Sequence, residues 1–527
     1  MDSRVPLAPH SRASEMKRTI IALATVPVLV VGLSAVVAMP ARATDNGDAA
    51  ATVTVDPAAT HQTIDGFGGS GAFNVASVLH GSTGLSAAKQ HELLDVLFST
   101  RTGAGLSILR NEVGAASTPC STGASGDDAC SIEPTDPGGP NSKPTYVWDG
   151  SDADQVWLTR QAKARGLGAV IADAWSAPAY MKTNNSLIGG GNLCGVPGAV
   201  SCASGDWRQP YANYLVKYLQ FYKDAGIKID YLSYANEPDL SPGYAGMNWD
   251  AADGTSGPGV VDPATPQNID FINNYLGPTL AKSRLGTKIA CCEATSWPAA
   301  TTYANGLMSN ATTRDYLGIV TGHGYYSAPS GALGPNPITS ANKAGKHTWE
   351  TEVSNFEPYN GSWASADIST SGYQWALNIH QALVDADVSA YLHWALTWNG
   401  GLTGANNGTL TLVDGANDTF YVPKRVWAFA GYSRYVRPGA VRIDANSTNA
   451  ALKSSAFRNK DGSYVIVVIN TADAAVAANY VSPGRTVVPY LTNETNSMAQ
   501  QPGSKIKHGQ FTATIPAKSM MTFNITK

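Results

Sequence analysis

Between residues 64 and 394 short apolar runs alternate with longer stretches in which apolar positions recur every three or four residues. The first pattern belongs to buried strands and the second to helices that pack one face on a core. Strands are expected at 64–69, 106–110, 169–174, 231–236, 288–292, 318–323, 347–352 and 390–394, with helices at 86–98, 153–165, 209–225, 268–283 and 372–387 among them. Eight strands alternating with helices predict an α/β fold closed as a (β/α)8 TIM barrel. An open doubly wound sheet would alternate too, but the count of eight and the polar and aromatic clusters just past the strand ends favour the barrel, whose function sits at its C-terminal rim.

From about Gly431 the period drops to two, with turn residues between short strands at 441–444, 463–470, 487–492, 510–515 and 519–525. This predicts an appended all-β sandwich domain. The alternating residues 52–55 precede the barrel, which has no partner to spare for them, so they are expected to complete the sandwich. The resulting organisation is a signal peptide (1–43), a linker and N-terminal strand joining the sandwich (44–60), a catalytic barrel (61–430) and a sandwich (431–527).

The signal reading rests on Lys17 and Arg18, the uncharged run from Thr19 to Met39 and the small-residue site Ala41-Arg42-Ala43. A retained anchor is the alternative. Charged residues make up 14% of the 527, below the roughly 25% of an average domain, which suits a secreted, extracellular protein handling neutral, hydroxyl-rich ligands. No basic stretch after the leader favours nucleic acid. Six cysteines fit an oxidising compartment. Cys120 with Cys130, and Cys194 with Cys202, are expected as loop staples in Gly- and Ser-rich stretches, and the adjacent Cys291 and Cys292 as two buried thiols rather than a vicinal disulfide. No Cys/His spacing resembles a metal site, and no cofactor is expected.

Two strand ends carry a glutamate in a setting that suggests catalysis. An apolar run delivers Asn236 and Glu237 to its C-terminal end, where Pro238 stops it, and Glu352 is the last acidic residue of the run 347–352. Glycoside hydrolysis needs two carboxyl groups, because one must protonate the leaving oxygen while the other stabilises or attacks the anomeric carbon. Separate strands let their environments push their proton affinities apart. A glutamate beside proline can equally be a solvated turn residue, a reading weakened by two such sites on strands four and seven. Glu350 stands two residues before Glu352, on the same face of a regular strand, and is the runner-up nucleophile.

At these residues the chain resembles glycoside hydrolase family 30. The resemblance runs through residues 64–69 (IDGFGG), 105–110 (GLSILR), 175–184 (WSAPAYMKTN), Gly322-His323-Gly324-Tyr325, 349–352 (WETE) and 433–439 (SRYVRPG), covering nearly all of the chain after the leader. Within that family it is similar to endo-β-1,6-galactanases, on residues 193–198 (LCGVPG), 204–214 (SGDWRQPYANY) and Cys291-Cys292-Glu293. The resemblance implies a retaining mechanism with Glu237 as general acid/base and Glu352 as nucleophile. It also implies that Asn236, Arg110, Trp175, His323, Tyr325 and Trp394 line the subsite of the sugar cleaved at its anomeric carbon, and Glu293 is read as a polar substrate contact. Arg110 has the alternative of pairing with a catalytic carboxylate, and His323 that of a rim residue without substrate contact.

The implied substrate is the β-1,6-galactan of arabinogalactan side chains, cut by a monomeric enzyme with no membrane partner once the leader is removed. An exo-acting galactobiohydrolase, a β-1,6-glucanase, a xylanase and a glucosylceramidase are the enzymatic alternatives. A carbohydrate-binding protein on an inactive hydrolase scaffold is the alternative of another class. The β domain is read as structural, with Tyr464, Tyr480 and Tyr490 as the residues a sugar-binding role would use.

Overall fold

The alternating residues at the start of the described chain form strand β1 (Ala51–Ile64), after which the eight short apolar runs become parallel strands. These are β2 (Gly66–Ser70), β3 (Ile108–Glu112), β4 (Ala169–Asp173), β5 (Tyr231–Ser233), β6 (Lys288–Ala294), β7 (Leu317–His323), β8 (His347–Glu352) and β9 (Ala390–Asn399). Each pairs with the next, and β9 pairs with both β8 and β2, so the sheet closes into a barrel. This computed structural model describes residues 51–527 apart from 121–129, 253, 256, 328 and 335; the expected leader, 1–43, lies outside the described residues.

Side chains alternate across a strand, and the barrel interior is built in layers from that rule. Its floor is apolar: Ile108, Ile171, Ala290, Ile319, Trp349, Ala390 and Leu392 pack together. Two residues further along the same strands come Arg110, Asp173 and Thr321, all fully enclosed. A dry hydrophobic plug thus supports a polar layer just below the C-terminal rim. Glycines let β2 lie close to its neighbour; a Cβ at Gly68 would fall 2.2 Å from the Ile108 carbonyl oxygen. The outer helices start where the chain supplies a side-chain acceptor for a free N–H, as at Ser86, Ser296, Asn310 and Ser371.

Two extra strands extend β9 outward. β10 (Thr409–Asp414) pairs with it in parallel and β11 (Thr419–Tyr421) turns back on β10. Helix Lys424–Ser433 then leads to β12 (Ala440–Ser447), β13 (Leu452–Arg458), β14 (Tyr464–Asn470), β15 (Val476–Val481), β16 (Thr486–Thr492), the short β17 (Ala499–Gln500) and β18 (Ser504–Lys505), β19 (Gln510–Ile515) and β20 (Met520–Thr526). β1 joins this second sheet between β12 and β15. Phe523 of β20 meets Tyr480 of β15 and Phe511 of β19 at 4.8 and 5.2 Å, although these strands lie in opposite halves of the order, so the sheet folds over its own core as a sandwich. Tyr480 is fully buried there, while Tyr490 packs on Tyr435, just past the helix Lys424–Ser433.

Cys120–Cys130 and Cys194–Cys202 are disulfides with Cα atoms 4.6 and 5.7 Å apart. The expectation of free thiols at Cys291 and Cys292 is corrected: the two are paired in a vicinal disulfide. Adjacent side chains point apart on a regular strand, but β6 is irregular here, its register on β7 broken between Cys291–Val320 and Ala294–Gly322. Among the described residues no helix is long and apolar enough to cross a membrane.

Candidate active site

Arg110 organises the polar layer. Its Nη1 donates to Glu352 Oε2 at 2.5 Å, and its Nη2 donates to Asp173 Oδ2 and Asn236 Oδ1, each at 2.5 Å, and lies 3.3 Å from Glu293 Oε2. The guanidinium also stacks on Trp175, 4.5 Å from the ring centre. Burial disfavours its charge, but Asp173, Glu352 and Glu293 outweigh that and raise its proton affinity further. His323 is the second cation of the layer. Burial pulls its imidazole down, yet the charges of Glu352, Glu237 and Glu293 leave it well above its ordinary value and so protonated at neutral pH. Its Nε2 donates to Glu293 Oε2 at 3.2 Å, and its Nδ1 faces Glu237 Oε1 at 3.4 Å and Glu352 Oε1 at 3.9 Å.

Glu237 follows the end of β5 in a left-handed conformation, φ 46°, with its N–H donating to the Glu293 carbonyl at 2.9 Å. A non-glycine residue in this region is uncommon and marks a backbone held by its surroundings. The turn aims the carboxyl into the barrel mouth, where the Tyr244 hydroxyl donates to Oε2. Glu352 accepts from Tyr325 at 3.0 Å as well as from Arg110. Burial raises its proton affinity above the ordinary carboxylate value, with His323 and Arg110 pulling the other way and Glu237 adding to the rise. Carboxylate oxygens of Glu237 and Glu352 and a ring nitrogen of His323 all lie within 4.8 Å of one another.

These two carboxylates open on a cavity of about 470 Å³. Its walls are Phe73, Trp175, Trp394, Trp398 and Phe356 together with Leu240, Tyr244, Tyr325 and Tyr326; among the described lining residues Glu237 and Glu352 are the only charged ones. Glu237, His323 and Glu352 would also be close enough to share a metal ion. A protonated His323 and the Arg110 charge on Glu352 make the cluster better suited to proton transfer than to a further cation.

The sequence-predicted residues separate into two groups. Glu237, Glu352, Trp175, Tyr325 and Trp394 line the cavity. Arg110, His323 and Glu293 are completely enclosed beneath it, and Asn236 is 2% exposed. Glu293 therefore departs from its expected role as a substrate contact: the β6 irregularity turns it toward Arg110, His323 and Thr351, which occupy its oxygen Oε2. Glu350 departs from the expectation that it shares a face with Glu352. The β7–β8 ladder loses register between Gly322–Glu350 and His323–Glu352, a bulge that re-aims the side chains beyond it. Glu350 Oε2 accepts from the Leu392 N–H at 3.3 Å, and burial pushes the carboxyl well above its ordinary value.

Sequence reasoning missed Asp173, Tyr244, Tyr326, Phe73, Phe356 and Trp398. Asp173 ends β4 as Glu352 ends β8, so the strand-end rule could have found it. The aromatic residues sit mainly on irregular loops, where no periodicity marks them.

With this geometry in place, comparison with known proteins identifies the family. Residues 50–399 match O-Glycosyl hydrolase family 30, and residues 439–523 match the glycosyl hydrolase family 30 beta sandwich domain. The chain is 28% identical to Endo-1,6-beta-D-glucanase neg1 of Aspergillus fumigatus, over 82% of this chain and 85% of that protein. It is 27% identical to Lysosomal acid glucosylceramidase of Mus musculus, over 61% of this chain and 62% of that protein. Among solved structures, the catalytic domain of GH30 xylanase C from Talaromyces cellulolyticus is 38% identical with a TM-score of 0.77, covering 90% of this chain and all of that one. A barrel and a sandwich each matched by a model of the same family, with two carboxylates facing each other across the barrel mouth, assign the protein: it belongs to glycoside hydrolase family 30.

Proposed function

We propose that this glycoside hydrolase retains anomeric configuration, with Glu237 as general acid/base and Glu352 as nucleophile. The observation that carries the proposal is the approach of their carboxylate oxygens to within 4.8 Å. Retaining enzymes hold the two carboxyl groups about 5–5.5 Å apart, whereas inverting ones leave about 6.5–9.5 Å for a water. In the first step the carboxylic acid form of Glu237 gives its proton to the leaving oxygen as that C–O bond breaks, and Glu352 attacks the anomeric carbon to form a glycosyl ester. In the second, Glu237 takes a proton from water, the water oxygen attacks the same carbon, and the bond to Glu352 breaks. Arg110, Tyr325 and His323 hold Glu352 and offset its charge throughout.

The substrate is a polysaccharide of neutral sugars. A wall of aromatic rings, in which the two carboxylates are the only charges among the described lining residues, offers stacking faces for sugar C–H surfaces. Residues 193–198, 204–214 and 291–293 support endo-β-1,6-galactanase activity on arabinogalactan side chains, through their similarity to such enzymes. Xylan is the second reading, favoured by the 38% identity to a family 30 xylanase. Product analysis on β-1,6-galactan, β-1,3-galactan and xylan separates the two, and release of oligosaccharides from only the last would remove the galactan reading. For the mechanism, Glu352→Gly should abolish hydrolysis, and added azide should restore a glycosyl azide of inverted configuration. A Glu352→Gly enzyme that still hydrolyses at the parent rate would exclude it as nucleophile. Secretion is proposed on the basis of the N-terminal sequence and the disulfides.

A further inference from the structure

Tyr326 has no part in the chemistry above, yet it stands on the wall of the catalytic cavity with 62% of its surface exposed. Its backbone is left-handed, φ 59°. That conformation is unfavourable for a non-glycine residue, and an outlier of this kind beside an active centre points to a side chain placed for use. Its surroundings hold it there. The preceding Tyr325 is tied by its hydroxyl to Glu352. Across from the ring, Gly257 is itself left-handed at φ 85°, and a Cβ on it would come within 3.2 Å of Tyr326 Cε1 and 3.4 Å of Cζ. A side chain at 257 would therefore press on the ring.

The ring stands on the Glu237 side of the cavity: the loop of Gly257 that faces it packs on the chain just after Glu237, with the Ser241 N–H donating to the Thr255 carbonyl at 2.8 Å and a Cβ at Gly259 falling 2.5 Å from the Asp239 carbonyl oxygen. The Tyr326 hydroxyl is pushed upward by burial and then by the charges of Glu237 and Asp239, and Tyr244, the donor to Glu237, feels Tyr326 in turn. In a retaining hydrolase the group beside the acid/base is the leaving sugar. We propose that Tyr326 is the platform on which that leaving sugar stacks through its C–H face. This rests on the assignment of Glu237 as acid/base. An aromatic ring suits the task because its two stiff side-chain angles leave little freedom to lose on binding, and its face accepts sugar C–H groups without demanding a particular hydroxyl pattern.

The test uses the full-length enzyme with Tyr326→Ala, Tyr326→Phe and Tyr326→Trp. Two substrates are compared: a tetrasaccharide of the polymer that the wild type degrades, and the β-disaccharyl fluoride of the same sugar, whose leaving atom offers nothing to stack. Tyr326→Ala should lose about tenfold more kcat/KM on the tetrasaccharide than on the fluoride, equivalent to about 1.4 kcal/mol. With fluoride as donor and free oligosaccharide as acceptor, its ratio of transfer to hydrolysis should fall by a similar factor. That ratio is internal to each active molecule, so a partly misfolded preparation does not alter it. Tyr326→Phe and Tyr326→Trp should stay close to the parent in both measures. Equal losses on the two substrates, an unaltered transfer ratio, or Tyr326→Phe behaving like Tyr326→Ala would overturn the platform. A wild type inert toward every glycosyl fluoride and polymer would instead bring down the catalytic assignment on which it depends.

Discussion

Replacing Arg110 with methionine keeps the volume and removes the charge that three buried carboxylates share. In the parent, Nη1 serves Glu352 and Nη2 serves Asp173 and Asn236, all at 2.5 Å, with Glu293 at 3.3 Å, and none of the guanidinium is exposed. Removing one partner of a buried ion pair costs about 3–5 kcal/mol, because the other charge stays behind without water. The loss should appear at pH 7 as a lower urea midpoint. It should shrink as the pH falls toward and below the unfolded carboxylate value of about 4.3: Glu352, which burial holds above its ordinary value, loses its charge first, and Glu293, which His323 and Arg110 hold below it in spite of burial, loses it last. Catalysis should respond separately. Burial already raises the proton affinity of Glu352, and Arg110 is one of the groups pulling it down, so without Arg110 the proposed nucleophile ionises at higher pH. The acid limb of kcat/KM should therefore move upward. A hydrogen bond to a charged group contributes about 1.5–3 kcal/mol, so kcat/KM at the new optimum should fall by about 10- to 100-fold. Arg110→Lys should recover part of the stability but little of the rate, since one ammonium cannot reproduce the planar fork. A midpoint within about 0.5 kcal/mol of the parent together with an unmoved acid limb would refute this account of the polar layer.

Tyr244→Phe removes the hydroxyl that donates to Glu237 Oε2. It should lower kcat/KM about tenfold on oligosaccharides, whose leaving group needs the acid, and less on dinitrophenyl glycosides; equal losses would mean that Tyr244 does not position Glu237. Glu350→Gln should retain hydrolysis, and an inactive but folded variant would reopen the choice of nucleophile. Because burial holds Glu350 well above the ordinary carboxylate value, the folded state carries it neutral while the unfolded state ionises it. Its contribution to stability is complete below about pH 4.3 and is lost as the pH rises above it. The glutamine variant should thus gain on the parent between pH 4 and 7 in denaturant titrations, and a gap that narrows with rising pH would contradict the sign.

Local pattern determined a great deal by itself. Eight apolar runs at barrel spacing, the later change to a period of two, which begins at Ala440 after the helix Lys424–Ser433 rather than near residue 431, and the strand at residues 52–55 are short-range signals that packing reinforces. Glu237 was legible for the same reason: an apolar strand ending in Asn-Glu-Pro places its acid at the rim whatever surrounds it. What only the tertiary structure decided lies where the regular period fails. A bulge in β8 separates Glu352 from Glu350, and the irregularity in β6 turns Glu293 beneath the cavity and brings Cys291 and Cys292 together. Tyr244 and Tyr326 come from loops with no periodicity, and they meet Glu237 only because the closed barrel gathers its loops at one mouth. A sequence pattern carries the direction of a side chain while the backbone repeats. At a bulge, a left-handed residue or a loop, that direction is set by contacts with residues far away in the chain, and the catalytic centre is assembled from such places.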